Sequence, residues 1–219
     1  LAIKPHFFVS LIVLFLTAFS ANPSHSEPDI VSDVRAALEQ SETEPSAGID
    51  MLKAVASRIN GEDNTALRAL AFLFNEVSVL KIETGEFSRA VDSIETTIAY
   101  AKKANVPNEL LLTYQTNLGR ALWHAGRINS SHTAFTEAWE LSHQSNQLSE
   151  ANIRYFLNYL RSLLEVGESR QVESTVSKAK DESQKSMLTD ESIAQLDMTL
   201  IAVLISDRRL KAARRAISN

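Results

Sequence analysis

Three of the six glycines, Gly85, Gly126 and Gly167, stand 41 residues apart, and this spacing constrains the fold more than any other feature of the 219-residue chain. A fixed period of about 20–50 residues marks a stack of repeated units, each too small to bury its own apolar face. Other positions follow the same step. Leu73, Tyr114, Tyr155 and Leu196 form one column, Val77, Leu118, Tyr159 and Leu200 a second, and Ile94, Phe135, Val176 and Ile217 a third. All are apolar or aromatic. A fourth column, Ala90, Ser131, Val172 and Ala213, stays small to medium, as a close contact between helices requires.

Within each unit the apolar spacing is helical. Leu73, Val77 and Leu80 lie at i, i+4 and i+7, as do Tyr114, Leu118 and Ala121. Glycine then ends the helix, because it enters the left-handed cap conformation without a side-chain penalty. A second amphipathic run follows, as in Phe87, Ala90, Val91, Ile94 and Ile98. The expectation is an all-α chain, a right-handed α-solenoid of helix-turn-helix repeats with a period of about 41 residues. Composition agrees: glycine and proline together make about 5% of the chain, against a background near 12%, so few turns can be built. In the fourth repeat Arg208 stands where glycine is expected.

The pattern resembles the tetratricopeptide repeat (TPR) family, whose 34-residue unit carries a small residue and Gly in its first helix and Ala, an aromatic and Ala in its second. Asn117-Leu118-Gly119, Leu122, Gly126, Phe135 and Ala138 match closely. The units before and after match less well, with Ser78 and Leu160 in the place of Gly119. The seven residues beyond 34 amount to about two helical turns. The resemblance covers residues 63–219. Residues 27–62 read as an N-terminal helical hairpin, Ile30–Gln40 and Ile49–Ile59, out of register with the repeats and placed to cap them.

The start of the chain reads as an address. Residues 7–21 carry no charge and follow Lys4 and His6; such a helix is roughly 22 Å long, short of the ~30 Å hydrocarbon core. A cleavable export signal fits, cut after Ser20 or, as second choice, Ser26, with an uncleaved anchor as the alternative. The expected location is exported, periplasmic or extracytoplasmic. Leu1 in place of Met points to a fragment or an alternative start.

Chemistry-bearing motifs are few. Zero Cys excludes disulfides, Cys-ligated metals and thiol catalysis, and the net charge of −5 argues against non-specific nucleic-acid binding. HExxH, P-loop, dinucleotide and GxSxG patterns do not occur, so no catalytic set, cofactor or metal site is expected. The acidic pairs Asp181-Glu182 and Asp190-Glu191 read as helix starts, where they favour the dipole. One constellation recurs: Asn117 and Arg120 return 41 residues later as Asn158 and Arg161. Residues at i and i+3 share a helix face. Asn can address a peptide backbone and Arg a carboxylate.

The TPR resemblance implies that this face lines a concave groove holding peptides or their C-terminal carboxylates. Arg154, Asn75, Glu76, Trp123 and His124 would lie near it. An ordinary solvated face, with the recurrence inherited from repeat duplication, is the bland alternative. The stretch Arg208–Arg215 holds five basic residues and reads either as the solvated side of a last helix or as a second patch. Two function classes follow: an exported scaffold binding a peptide or protein partner, or the extracytoplasmic sensory region of a longer membrane signalling protein such as a diguanylate cyclase or histidine kinase.

Overall fold

A computed structural model describes residues 27–59, 62–142, 150, 152–183 and 188–206. The uncharged leader run, the fourth-repeat positions Ala213 and Ile217, and the basic stretch 208–215 lie outside them. Among the described residues there are nine α-helices and no strand. None of these helices is long and apolar enough to cross a membrane. The chain divides into two compact units, one ending at Val106 and the other beginning at Pro107.

The first unit holds α1 (Glu27–Thr43), α2 (Pro45–Arg58), α3 (Asn64–Glu83) and α4 (Phe87–Lys103). The α1–α2 hairpin is longer than the apolar pattern alone indicated, because polar residues complete both of its helices. Ile30, Val34 and Ala37 of α1 and Ile49, Leu52 and Val55 of α2 pack with Phe72, Leu73, Val77 and Leu80 of α3 in one core. Helix α3 is capped by Asp63, whose carboxylate accepts from the Thr65 and Ala66 amides at 2.8 and 2.9 Å. It is apolar nearly all round, as a helix packed on more than one side must be. Helix α4 buries one stripe, Ala90, Val91, Ile94, Ile98 and Ala101.

The second unit holds α5 (Asn108–His124), α6 (Ile128–Ser142), α7 (Ile153–Glu165), α8 (Ser169–Ser183) and α9 (Asp190–Ser206). Leu112, Ala138 and Tyr155 join α5, α6 and α7. Ile153, Phe156, Leu160 and Leu163 of α7, Val172, Val176 and Ala179 of α8, and Leu196 of α9 form a further core. Helix α5 approaches α6 closely at Gly119. The Ser131 hydroxyl donates to the Gly119 carbonyl at 2.8 Å, and a β-carbon on Gly119 would stand 2.7 Å from the Phe135 ring. Asp190-Glu191 open α9 as expected. Asp181-Glu182 do not open a helix: they lie in the last turn of α8, which continues to Ser183.

The recurrent glycines make one structure three times. Gly85, Gly126 and Gly167 have φ of +81°, +74° and +84°. The residue after each donates its amide to the carbonyl five positions back: Glu86 to Lys81, Arg127 to Leu122 and Glu168 to Leu163, at 2.8–2.9 Å. Each glycine amide bonds three positions back, to Ile82, Trp123 and Leu164. This is the Schellman stop, satisfying carbonyls that a helix end would orphan. The columns hold too. Leu73, Tyr114, Tyr155 and Leu196 are 0–4% exposed, and Ile94, Phe135 and Val176 are 0–7% exposed. In the second column Val77 is buried, while Leu118, Tyr159 and Leu200 are half-buried.

Candidate binding surface on the first helices of the second unit

In the second unit, α5, α7 and α9 are the first helices of successive repeats, and the recurrent polar residues lie on two of them. Asn117 and Arg120 are on α5, Asn158 and Arg161 on α7. Position in the repeat does not give them equal environments. Asn117 is 8% exposed, because it sits three residues after Tyr114 and four before Ala121 on the buried stripe. Asn117, named in the sequence as a groove residue, is thus part of a buried stripe. Asn158 and Arg120 are half-buried and Arg161 is exposed.

The two arginines share one property. Neither guanidinium has an ion-pair or hydrogen-bond partner among the described residues, and the Asn158 amide likewise has none. Arg161 also lines a cleft of about 300 Å³ between α7 and α9, with Leu157, Leu164, Met198 and Ala202 as its apolar part and Gln195 and Thr199 as its polar part. Met198 is 62% exposed. Farther along α9, Ile205 is 51% exposed. Among the described residues, a solvent-facing cation thus stands beside exposed apolar surface.

The other expected residues are occupied differently. The Arg154 guanidinium lies 4.5 Å over the Tyr155 ring and donates to its hydroxyl, so part of its capacity is already used. His124 and Trp123 are exposed at the end of α5, their rings edge-on at 4.8 Å. Asn75 belongs to α3 in the first unit. It is buried and donates to Glu76 Oε1 at 3.0 Å. Burial pushes the Glu76 carboxyl up to about 7, with the Asn75 amide opposing and Glu83 adding to the shift.

Some polar arrangements carry no period and were not read from the sequence. Gln115, on α5, donates to Glu137 at 2.7 Å, and its buried Oε1 has no partner among the described residues. Glu150 accepts from the Thr189 amide at 2.6 Å and the Ser192 hydroxyl at 2.9 Å, closing the start of α9 from 39 residues away. The Thr189 amide is the main reason that its carboxyl titrates below the ordinary range. His132, Tyr159 and Trp139 stack between α6 and α7, with ring centroids 6.1 and 6.4 Å apart, and His132 Nδ1 lies 3.0 Å from Ser162 Oγ. No group of three or more His, Cys, Asp or Glu side chains suited to a metal ion occurs among the described residues.

Solved structures share this architecture. A Podosopora anserina protein described as a putative kinesin light chain with nearly identical TPR-like repeats superposes with a TM-score of 0.70 at 15% identity, covering 85% of this chain and 90% of that one. A variant of the same protein matches equally well. BtubC (BKLC) from P. vanneervenii matches at a TM-score of 0.62 and 13% identity, over 87% of this chain and 86% of that one. The fold is that of TPR-like repeats. At such identities the likeness concerns fold alone. No family model and no curated protein matches the sequence.

Proposed function

We propose that this TPR-like array is a binding scaffold whose first-helix surface in the second unit holds a peptide or protein partner through a carboxylate and an adjacent apolar side chain. The observation that carries this reading is Arg161: a guanidinium without a partner among the described residues, in a cleft walled by Leu157, Leu164 and Met198. Arg presents a planar fork that matches a carboxylate, and apolar surface beside it supplies affinity that a charge in water does not. Arg120, one repeat earlier on α5, supplies a second cation for an extended ligand. Export ahead of the array, suggested by the uncharged run 7–21, belongs to the same proposal and is checked by cell fractionation.

The test is a peptide array varying the C-terminal residue, followed by titration of the best binder against wild type, Arg161→Ala and Arg120→Ala. A lost charge-assisted contact costs about 1.5–3 kcal/mol, so Arg161→Ala should weaken binding at least about tenfold with an unchanged melt. Amidating the peptide carboxylate should remove the difference between wild type and variant. Equal affinity of wild type and both variants for the free acid refutes the reading.

A further inference from the structure

The first unit contains a polar cavity of about 370 Å³ where the start of α2, the end of α3 and the start of α4 meet. Its lining is Ser46, Asp50, Lys53, Lys81, Glu86 and Arg89, with Ile49 the single apolar contribution. Two of the cations are already paired: Lys53 with Asp50 at 3.7 Å and Arg89 with Glu86 at 2.9 Å, both at the surface. Lys81 differs. Its side chain leaves the last turn of α3, the residue is only 8% exposed, and its ammonium donates to two uncharged oxygens, the Arg89 carbonyl at 3.2 Å and Ser93 Oγ at 2.7 Å. It has no carboxylate partner among the described residues, and one of its three N–H bonds remains unused.

A buried ammonium without a counter-ion is costly, and such charges are ordinarily paired. In keeping with this, burial first, then Lys53 and Arg89, hold the Lys81 ammonium below the ordinary lysine range, with Glu86 and Asp92 acting in the opposite sense. We propose that this cavity binds the carboxylate of a small polar molecule, with the Lys81 ammonium as its charge partner and Lys53 and Arg89 as flanking cations. The three cations of the lining exceed its two carboxylates by one charge, which a monoanion neutralises. Asp50 and Glu86 would repel the second charge of a phosphate and can accept from donors on a ligand. The volume lies in the usual range for small-ligand sites, about 300–1,000 Å³.

The experiment uses the full chain, titrated by NMR with L-glutamate, acetate and inorganic phosphate in turn. Saturable glutamate binding with a Kd near or below about 1 mM supports the proposal. So does at least about tenfold weakening by Lys81→Met, which keeps an unbranched side chain as far as Cε and removes the ammonium. Should Lys81→Met lose its helical signal, the surface double variant Lys53→Gln/Arg89→Gln decides in its place, and weakened glutamate binding is expected. Three outcomes overturn the proposal: no saturation by any probe, phosphate binding more tightly than glutamate, or unchanged binding by a folded variant. This cavity and the Arg161 cleft lie in different units and use different residues, so either can fail alone.

Discussion

Replacing Gly119 by alanine tests the close contact between α5 and α6. Built on the Gly119 backbone, a β-carbon would come 2.7 Å from Phe135 Cδ1 and Cε1 and 2.9 Å from Cζ. Phe135 is 7% exposed, so its ring has little free space to enter. Two effects oppose each other. Alanine is favoured over glycine inside a helix by about 0.8–1.0 kcal/mol, whereas forcing a methyl group into a packed core costs about 1–3 kcal/mol. The expected net loss is about 1 kcal/mol, or about 2–4 °C in Tm for a chain of this size. Because that is small, the decisive measurement is a cycle with Phe135→Ile, which opens room beside residue 119 and alone costs a few kcal/mol by lost packing. The double variant should be less destabilised than the sum of the singles by at least about 0.5 kcal/mol. Urea melts followed by circular dichroism, with unchanged m, give the values. A Gly119→Ala protein stabilised by the full propensity term, or strict additivity, would refute the contact.

At Gly126, φ is +74° and nothing lies within 4 Å of where a β-carbon would stand, so Gly126→Ala should cost only the backbone term, about 1–2 kcal/mol in a urea melt, and Gly126→Asn less; a neutral alanine would contradict the left-handed turn. Glu76, with its carboxyl raised to about 7, stays protonated in the folded chain while the unfolded chain ionises near 4.5. The unfolded state therefore binds fewer protons in that window, and stability should fall from about pH 4.5 to 7 and level off above. Glu76→Gln keeps an acceptor for Asn75, removes that slope and should raise stability at pH 8 by up to a few kcal/mol, as melts across pH would show; an unchanged slope would sink this assignment.

Much of the fold was legible because repeat stacking writes itself into sequence at a fixed period. Each column position keeps the same phase on its helix one repeat on, so its apolar character recurs with it. The departures from the TPR pattern make physical sense in the same terms. Where the first helix carries Gly119 the partner column holds Phe135; where it carries Ser78 the column holds Ile94; where it carries Leu160 it holds Val176, and all six are buried. As the residue on the first helix grows from Gly to Ser to Leu, the residue in the second-helix column shrinks from Phe to Ile to Val, the direction that close packing favours. Features without a period were not legible. Asn105 ends α4 in a left-handed turn at φ +46°, with Val106 bonding back to Ala101, where glycine would have been the expected signal. The Glu150 cap and the Lys81 cavity depend on chain segments brought together only by the fold.

For the candidate site, what the sequence makes legible is bounded by what a period measures. Recurrence fixes the phase of a residue on its helix, not how many neighbours cover it. Glu76, Asn117, Asn158 and Thr199 share one phase, yet the first two are 4% and 8% exposed and the last two are half-buried. A buried Asn must satisfy its hydrogen bonds within the protein and has little left for a ligand. An Arg at the edge of an apolar cleft keeps its donors free while its surroundings remain only partly wet. The same Asn-x-x-Arg spacing therefore places Asn117 on a buried stripe and Arg161 at the edge of a cleft beside the exposed Met198.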